Sequence, residues 1–156
     1  MFWDIVSLIP VVILLALASI GLLRRNKRWL KISLGAAGLL LLTELIKYLS
    51  KPYLQDYPWL QRPKGAMNCG CFNNGGAAGG APGFPSGHAT IMSYLICILA
   101  FAYASKYTVG LWIIMIAILI PLVCYARLQK KCHNLIQVLT GVALGVTAAI
   151  YQRKSI

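Results

Sequence analysis

The sequence is almost without acidic residues. Asp4, Glu44 and Asp56 are the only three among 156 positions, against 15 Lys and Arg, so the formal net charge is +12. In a water-soluble chain that excess would suggest a nucleic-acid partner. No nucleic-acid recognition motif is present, however, and no internal repeat. Also missing is a basic segment ahead of the first apolar run. Asp4 precedes that run and Arg24-Arg25-Asn26-Lys27-Arg28 follows it, an order that suits a retained helix better than a cleaved signal peptide. The five cysteines and two histidines match no standard zinc spacing, so neither a metal nor any other cofactor is expected.

What the chain has in abundance is apolar side chains. Hydrophobic residues make up 59% of it and the mean hydropathy is +0.72, well above a soluble globular chain. Five apolar runs, about 5–23, 30–49, 88–105, 109–125 and 135–151, approach the roughly 17–25 residues that cross a bilayer. They predict an all-α fold, a single membrane-embedded bundle of five transmembrane helices taking in 1–156. Basic residues flank these runs, so topology and anionic ligands explain them better than nucleic acid does. Trp3, Trp29 and Trp59 fall at predicted interfaces and read as belt residues. Within the second run Glu44 and Lys47 have two open readings: functional charges, or a pair three residues apart whose lysine snorkels to the interface.

Between the second and third runs lies a long hydrophilic loop, 51–85. Its first part mixes aromatics with prolines and is expected at headgroup level. Its tail, Asn73-Asn74-Gly75-Gly76-Ala77-Ala78-Gly79-Gly80, is expected to be flexible. The loop ends in Pro82-Gly83-Phe84-Pro85-Ser86-Gly87-His88, which opens the third helix. Ser86 is placed to act as N-cap, and amides in the first turn beyond it form an anion site, most often for phosphate. A histidine there can also move a proton.

Five crossings alternate sides. The end of the second helix, the start of the third, the end of the fourth and the start of the fifth therefore share one face. That face carries Lys47, Lys51, Arg62, Lys64, Ser86, His88, Arg127, Lys130, Lys131 and His133. Lys64, Lys130 and Lys131 read as general surface charge or lipid-headgroup attraction. Gln137 stands four residues after His133, on the same face of a helix, where its oxygen can accept the His133 N–H and fix the ring tautomer.

At these residues the chain resembles the type 2 phosphatidic acid phosphatase superfamily of integral-membrane lipid phosphatases. That family carries a lysine followed at a distance by Arg-Pro, then Pro-Ser-Gly-His, then Ser-Arg, five intervening residues, a histidine, three more residues and an aspartate. Here stand Arg62-Pro63, Pro85-Ser86-Gly87-His88, and Arg127 with five residues before His133. The resemblance covers about 44–145 and implies the family's helical fold, with one N-terminal helix fewer than usual. It departs at three points. The family spacing puts the lysine at Gln55, so Lys47 is the best match and Lys51 its competitor. Ala126 replaces the serine before the arginine. Gln137 replaces the family aspartate and resembles the branch that acts on dolichyl and related polyprenyl diphosphates.

The resemblance implies that His133 is the nucleophile and His88 the general acid and base. Lys47, Arg62, Ser86, Gly87 and Arg127 would bind the phosphoryl group, and with that much fixed positive charge no metal is required. The expected partners are a membrane lipid substrate and the bilayer itself. Two other readings stand beside hydrolysis of a polyprenyl diphosphate or phosphatidic acid. One is a catalytically weakened lipid-binding scaffold, since Ala126 and Gln137 thin out the polar set. The other is a lipid phosphotransferase on the same fold. Cys69, Cys71 and Cys132 share the active face, where one disulfide between the loop and Cys132 is open to an oxidising compartment. Cys97 and Cys124 read as packing residues. The basic residues of the opposite face put the first loop and the C-terminus in the cytoplasm and the site on the lumenal, periplasmic or exterior side.

Overall fold

The apolar runs become five α-helices, because each can satisfy its backbone hydrogen bonds internally, as hydrocarbon surroundings demand. The computed structural model describes residues 2–156. The helices are α1 (Phe2–Leu23), α2 (Lys27–Ser50), α3 (Gly87–Tyr103), α4 (Val109–Gln129) and α5 (Leu135–Gln152). Among the described residues there is no strand, only two isolated antiparallel bridges in the loop. Asn26 caps α2 with its side chain, accepting from the Arg28 and Trp29 amides, so the first interhelical turn is short.

Four helices, α1, α2, α4 and α5, are long and apolar enough to cross a membrane. The third predicted span differs. With 17 residues, α3 is about 26 Å long and at the lower limit of a crossing. It is also the hub: 13 of those 17 residues are buried, and α3 packs against each of the other four helices. The outer helices turn apolar side chains outward instead; Leu34, Leu41, Ile113, Ile118 and Leu139 are all more than half exposed. A bilayer is as apolar as a protein core, so hydropathy alone cannot separate a helix wrapped in helices from one wrapped in lipid.

The tightest packing is between α3 and α5. Gly141 and Gly145 on α5, followed one turn on by the fully buried Ala149, let the two backbones approach closely. A methyl group on Gly145 would overlap the Thr90 carbonyl, and one on Gly141 would lie 2.6 Å from the Ser86 carbonyl. At the end away from the loop, the Tyr94 hydroxyl lies 3.0 Å from the Ile32 carbonyl and 2.6 Å from Gln152 Oε1, which ties α2, α3 and α5 together.

The loop is ordered by specific bonds, including the glycine-rich tail that composition marks as flexible. The Asn68 amide donates to the Gly76 carbonyl at 2.8 Å and the Gly76 amide to Asn68 Oδ1 at 3.1 Å. Gly75 and Gly76 take positive φ, 104° and 65°, to make that turn, a conformation that glycine adopts without strain. Asn73 Nδ2 donates to the Asp4 carbonyl, and Lys130 Nζ donates to Asp4 Oδ1 at 2.7 Å and to Asn73 Oδ1 at 2.6 Å. Lys130 is therefore a tie between α1, the loop and α4 rather than general surface charge. A disulfide joins Cys69 to Cys132, while Cys71 is free and exposed.

Candidate active site

The end of the bundle under the loop holds a cavity of about 420 Å³. Lys47 and Glu44 of α2, Arg62 of the loop, Gly87 and His88 at the start of α3, and His133 just before α5 all line it. Pro10, Val11 and Leu15 of α1 and Leu40 of α2 form an apolar wall beside them. Both histidines thus reach one space from different helices, as alternating crossings require.

His133 is held by its neighbours in a single tautomer. Asn134 caps α5 and forms a reciprocal capping box with Gln137. This places Gln137 where its Nε2 donates to the Trp59 carbonyl at 2.9 Å and to the Gln61 carbonyl at 2.8 Å. Only a nitrogen can sit between two carbonyls, so Oε1 is the atom that faces His133 Nδ1, at 3.1 Å. The Gly83 carbonyl lies 2.9 Å from the same Nδ1. Two acceptors fix the proton on Nδ1 and leave Nε2 unprotonated, with its lone pair as an acceptor. Arg62 Nη1, always a donor, lies 3.3 Å from that Nε2, and it also donates to the Cys132 carbonyl at 2.9 Å. Gly83 has no room for a side chain, since a methyl there would lie 2.6 Å from Gln137 Oε1.

The same surroundings keep the His133 ring neutral. Burial, and then the positive charges of Arg62, Arg127 and Lys47, hold it well below the usual imidazole value of 6.5. All three cations therefore lie within electrostatic reach of one ring. Arg127 is fully buried, and its Nη2 donates to the Cys69 carbonyl at 2.8 Å. Among the described residues its Nε and Nη1 have no partner, and neither do the Ser86 hydroxyl and His88 Nε2. Four buried polar atoms without partners are costly unless something polar meets them. A phosphoryl group, with its several acceptor oxygens, suits the Arg127 and Ser86 donors.

Ser86 corrects one expectation. It is the N-cap of α3 by its extended backbone conformation, yet its hydroxyl makes no capping bond. The Thr90 hydroxyl bonds the Ser86 carbonyl instead, and the Ser86 amide donates to the Gln137 carbonyl at 2.9 Å. Gly87 lies against Lys47, with 3.8 Å between a notional Gly87 Cβ and Lys47 Nζ. Lys47 pairs with Glu44 at 2.5 Å. Of the two competing lysines, Lys47 lines the cavity of the histidines and Lys51 does not. Lys51 sits over the Tyr48 ring in the 3-10 helix Lys51–Tyr53. Among the described residues no group of three or more His, Cys, Asp or Glu side chains is placed to share a metal ion.

A family model, described as the PAP2 superfamily, matches residues 28–154. The chain belongs to the PAP2 superfamily. Membership brings phosphatase-type chemistry on phosphate esters and a helical membrane fold, and the apolar helices make the chain an integral membrane protein. Among curated proteins and among solved structures, none matches the chain.

In this PAP2 protein the neutral His133 has a consequence for stability. Its pKa is lower folded than unfolded, so the unfolded chain binds the extra proton as pH falls through 6.5. Stability is full above that value and is lost below it, by about 1.4 kcal/mol per pH unit for this one group, until the folded pKa is reached. Thermal unfolding in detergent between pH 7 and pH 5 is expected to show this loss, and His133→Asn to show less of it. Equal slopes for the two proteins would mean that His133 already carries its proton when folded.

Proposed function

We propose that this protein is a lipid phosphate or diphosphate phosphatase that works through a phosphohistidine on His133. The observation that carries the proposal is the single tautomer of His133, with Nδ1–H held by Gln137 and Gly83 and Nε2 directed at Arg62. In the first step the Nε2 lone pair attacks phosphorus, forming the N–P bond while the bond from phosphorus to the lipid oxygen breaks. His88 gives that leaving oxygen a proton. In the second step His88 takes a proton from water, the water oxygen attacks phosphorus, and the N–P bond breaks to return His133. Arg62, Arg127 and Lys47, with the Ser86 hydroxyl and the Gly87 amide, bind the equatorial oxygens throughout. His133, His88 and Gln137 are thus the reacting and orienting groups, and no step calls for a metal.

The apolar wall of Pro10, Val11, Leu15 and Leu40 supports a lipid. An amphiphile can bring its phosphate to the histidines and leave its chain against two membrane helices. Gln137 makes a polyprenyl diphosphate the first substrate to try, followed by a polyprenyl monophosphate and phosphatidic acid. Inorganic phosphate released by purified protein, in detergent with a chelator present, tests this. Release from one of the three is the expected result. Lipid binding with no release from any of them would favour a scaffold, and transfer to an added alcohol in preference to water would favour a phosphotransferase.

The site is assigned to the lumenal, periplasmic or exterior side, with the C-terminus cytoplasmic. Two observations support it. The opposite end carries Arg24, Arg25, Lys27, Arg28, Lys31, Lys106, Arg153 and Lys154 and no Asp or Glu, as cytoplasmic loops do. The disulfide between Cys69 and Cys132 belongs to an oxidising compartment. Trypsin confined to the lumenal, periplasmic or exterior side is expected to leave the Arg24–Arg28 turn whole. Cleavage there would reverse the assignment.

A further inference from the structure

A second, smaller cavity lies against the first. It has a volume of about 400 Å³ and is lined by Lys51, Ala81 and Pro82 together with Glu44, Lys47 and Arg62, the last three of which line the catalytic cavity as well. The two spaces therefore share a wall of two cations and one carboxylate. Lys51 adds a third cation on the outer side only. Its ammonium group lies 5.1 Å from the centre of the Tyr48 ring, and among the described residues it has no carboxylate partner. The floor is firm: the Arg62 amide donates to the Ala81 carbonyl at 2.8 Å and the Gly80 amide to the Arg62 carbonyl at 3.1 Å.

We propose that this outer cavity is a second phosphate-group subsite, with Lys51, Lys47 and Arg62 as its donors. It rests on the reading of the inner cavity as the place of phosphoryl transfer. Three cations against the single carboxylate of Glu44 leave a local charge of about +2, which one phosphate group, about −1.5 to −2 at neutral pH, balances when the inner cavity is empty and shares with the reacting group when it is filled. The ligand chemistry has two sources. Inorganic phosphate leaving His133 can pause there on its way to water, on the side away from the apolar wall. Alternatively, the second phosphate of a diphosphate substrate can occupy it while the first reacts. In both cases Glu44 stands at the boundary, holding Lys47 at 2.5 Å, and a phosphate moving between the cavities passes its carboxylate.

The test compares wild type with Lys51→Ala, Lys51→Arg and Glu44→Gln. Lys51 is exposed and among the described residues makes no side-chain hydrogen bond, so its replacement does not threaten folding; the unfolding midpoint serves as the check. Inhibition of lipid turnover by inorganic phosphate is expected to weaken roughly 3- to 10-fold in Lys51→Ala, as for loss of one charge-assisted bond. It should be retained in Lys51→Arg and strengthened in Glu44→Gln. If the source is free phosphate, the kcat/KM ratio of polyprenyl diphosphate to monophosphate stays as in wild type. If the source is the substrate, that ratio falls by a similar factor in Lys51→Ala. Unchanged phosphate inhibition together with an unchanged ratio overturns the subsite. Direct titration of wild type and Lys51→Ala with inorganic phosphate separates the two ideas. Lysine-dependent binding in a protein that hydrolyses no lipid would keep the subsite and remove the proposed function.

Discussion

His133→Ala is expected to lower phosphate release at least about 10⁴-fold, the scale seen when a nucleophile working as part of a unit is removed. Lipid binding should survive, because Arg62, Arg127 and Lys47 come from other segments. Rapid quenching of wild type with a phosphate-labelled substrate should trap label on the protein that is stable in base and lost in acid, the signature of phosphohistidine. His88→Ala should slow both steps, since one ring serves the leaving oxygen and then the water. If His133→Ala still turns over substrate at a tenth of the wild-type rate, the nucleophile has been misassigned.

The second large effect concerns Gln137. The resemblance to the family puts an aspartate at this position, which would make Gln137→Asp an improvement. The opposite is expected. The Gln137 amide uses both halves: Oε1 faces His133 and the Asn134 amide, and Nε2 donates to the carbonyls of Trp59 and Gln61. An aspartate is one methylene shorter and has no donor when ionised. It would leave two carbonyls unsatisfied at about 1–3 kcal/mol each, and loosen the segment that carries Arg62. A fall of roughly 10- to 100-fold in kcat, as for lost orienting partners, is expected together with a lower unfolding midpoint. A more active Gln137→Asp would show that the amide is only a weak substitute for a carboxylate.

The sequence was most legible where local chemistry decides the structure. Arg127, His133 and Gln137 were readable because helical spacing and alternating crossings carry them to one face. The capping box at Asn134 is also written locally, as Asn-Leu-Ile-Gln, and it is a sequence signal for the orientation of Gln137. The Gly141 and Gly145 pair carried a legible packing signal as well, and it marks where α5 meets α3. Less legible was what depends on distant partners. Nothing near Lys130 in the chain indicates Asp4 and Asn73, more than fifty positions away. Composition described residues 73–80 as a flexible tail because glycine is permissive, but permissiveness is also what lets Gly75 and Gly76 complete a bonded turn. The hub position of α3 was hidden for a different reason: its neighbours and the bilayer are equally apolar.

The apolar wall formed by Pro10, Val11, Leu15 and Leu40 bears on how such an enzyme should be measured. A substrate that reaches the histidines along that wall arrives from a two-dimensional solution. Its effective concentration is its mole fraction among the surrounding lipids, not the number of moles per litre of buffer. Diluting a vesicle suspension with water would leave the rate per enzyme unchanged, whereas diluting the substrate with inert lipid would lower it. Inhibitors would be ranked in the same way, by how well they partition into the bilayer before any contact with Arg62 or Lys47.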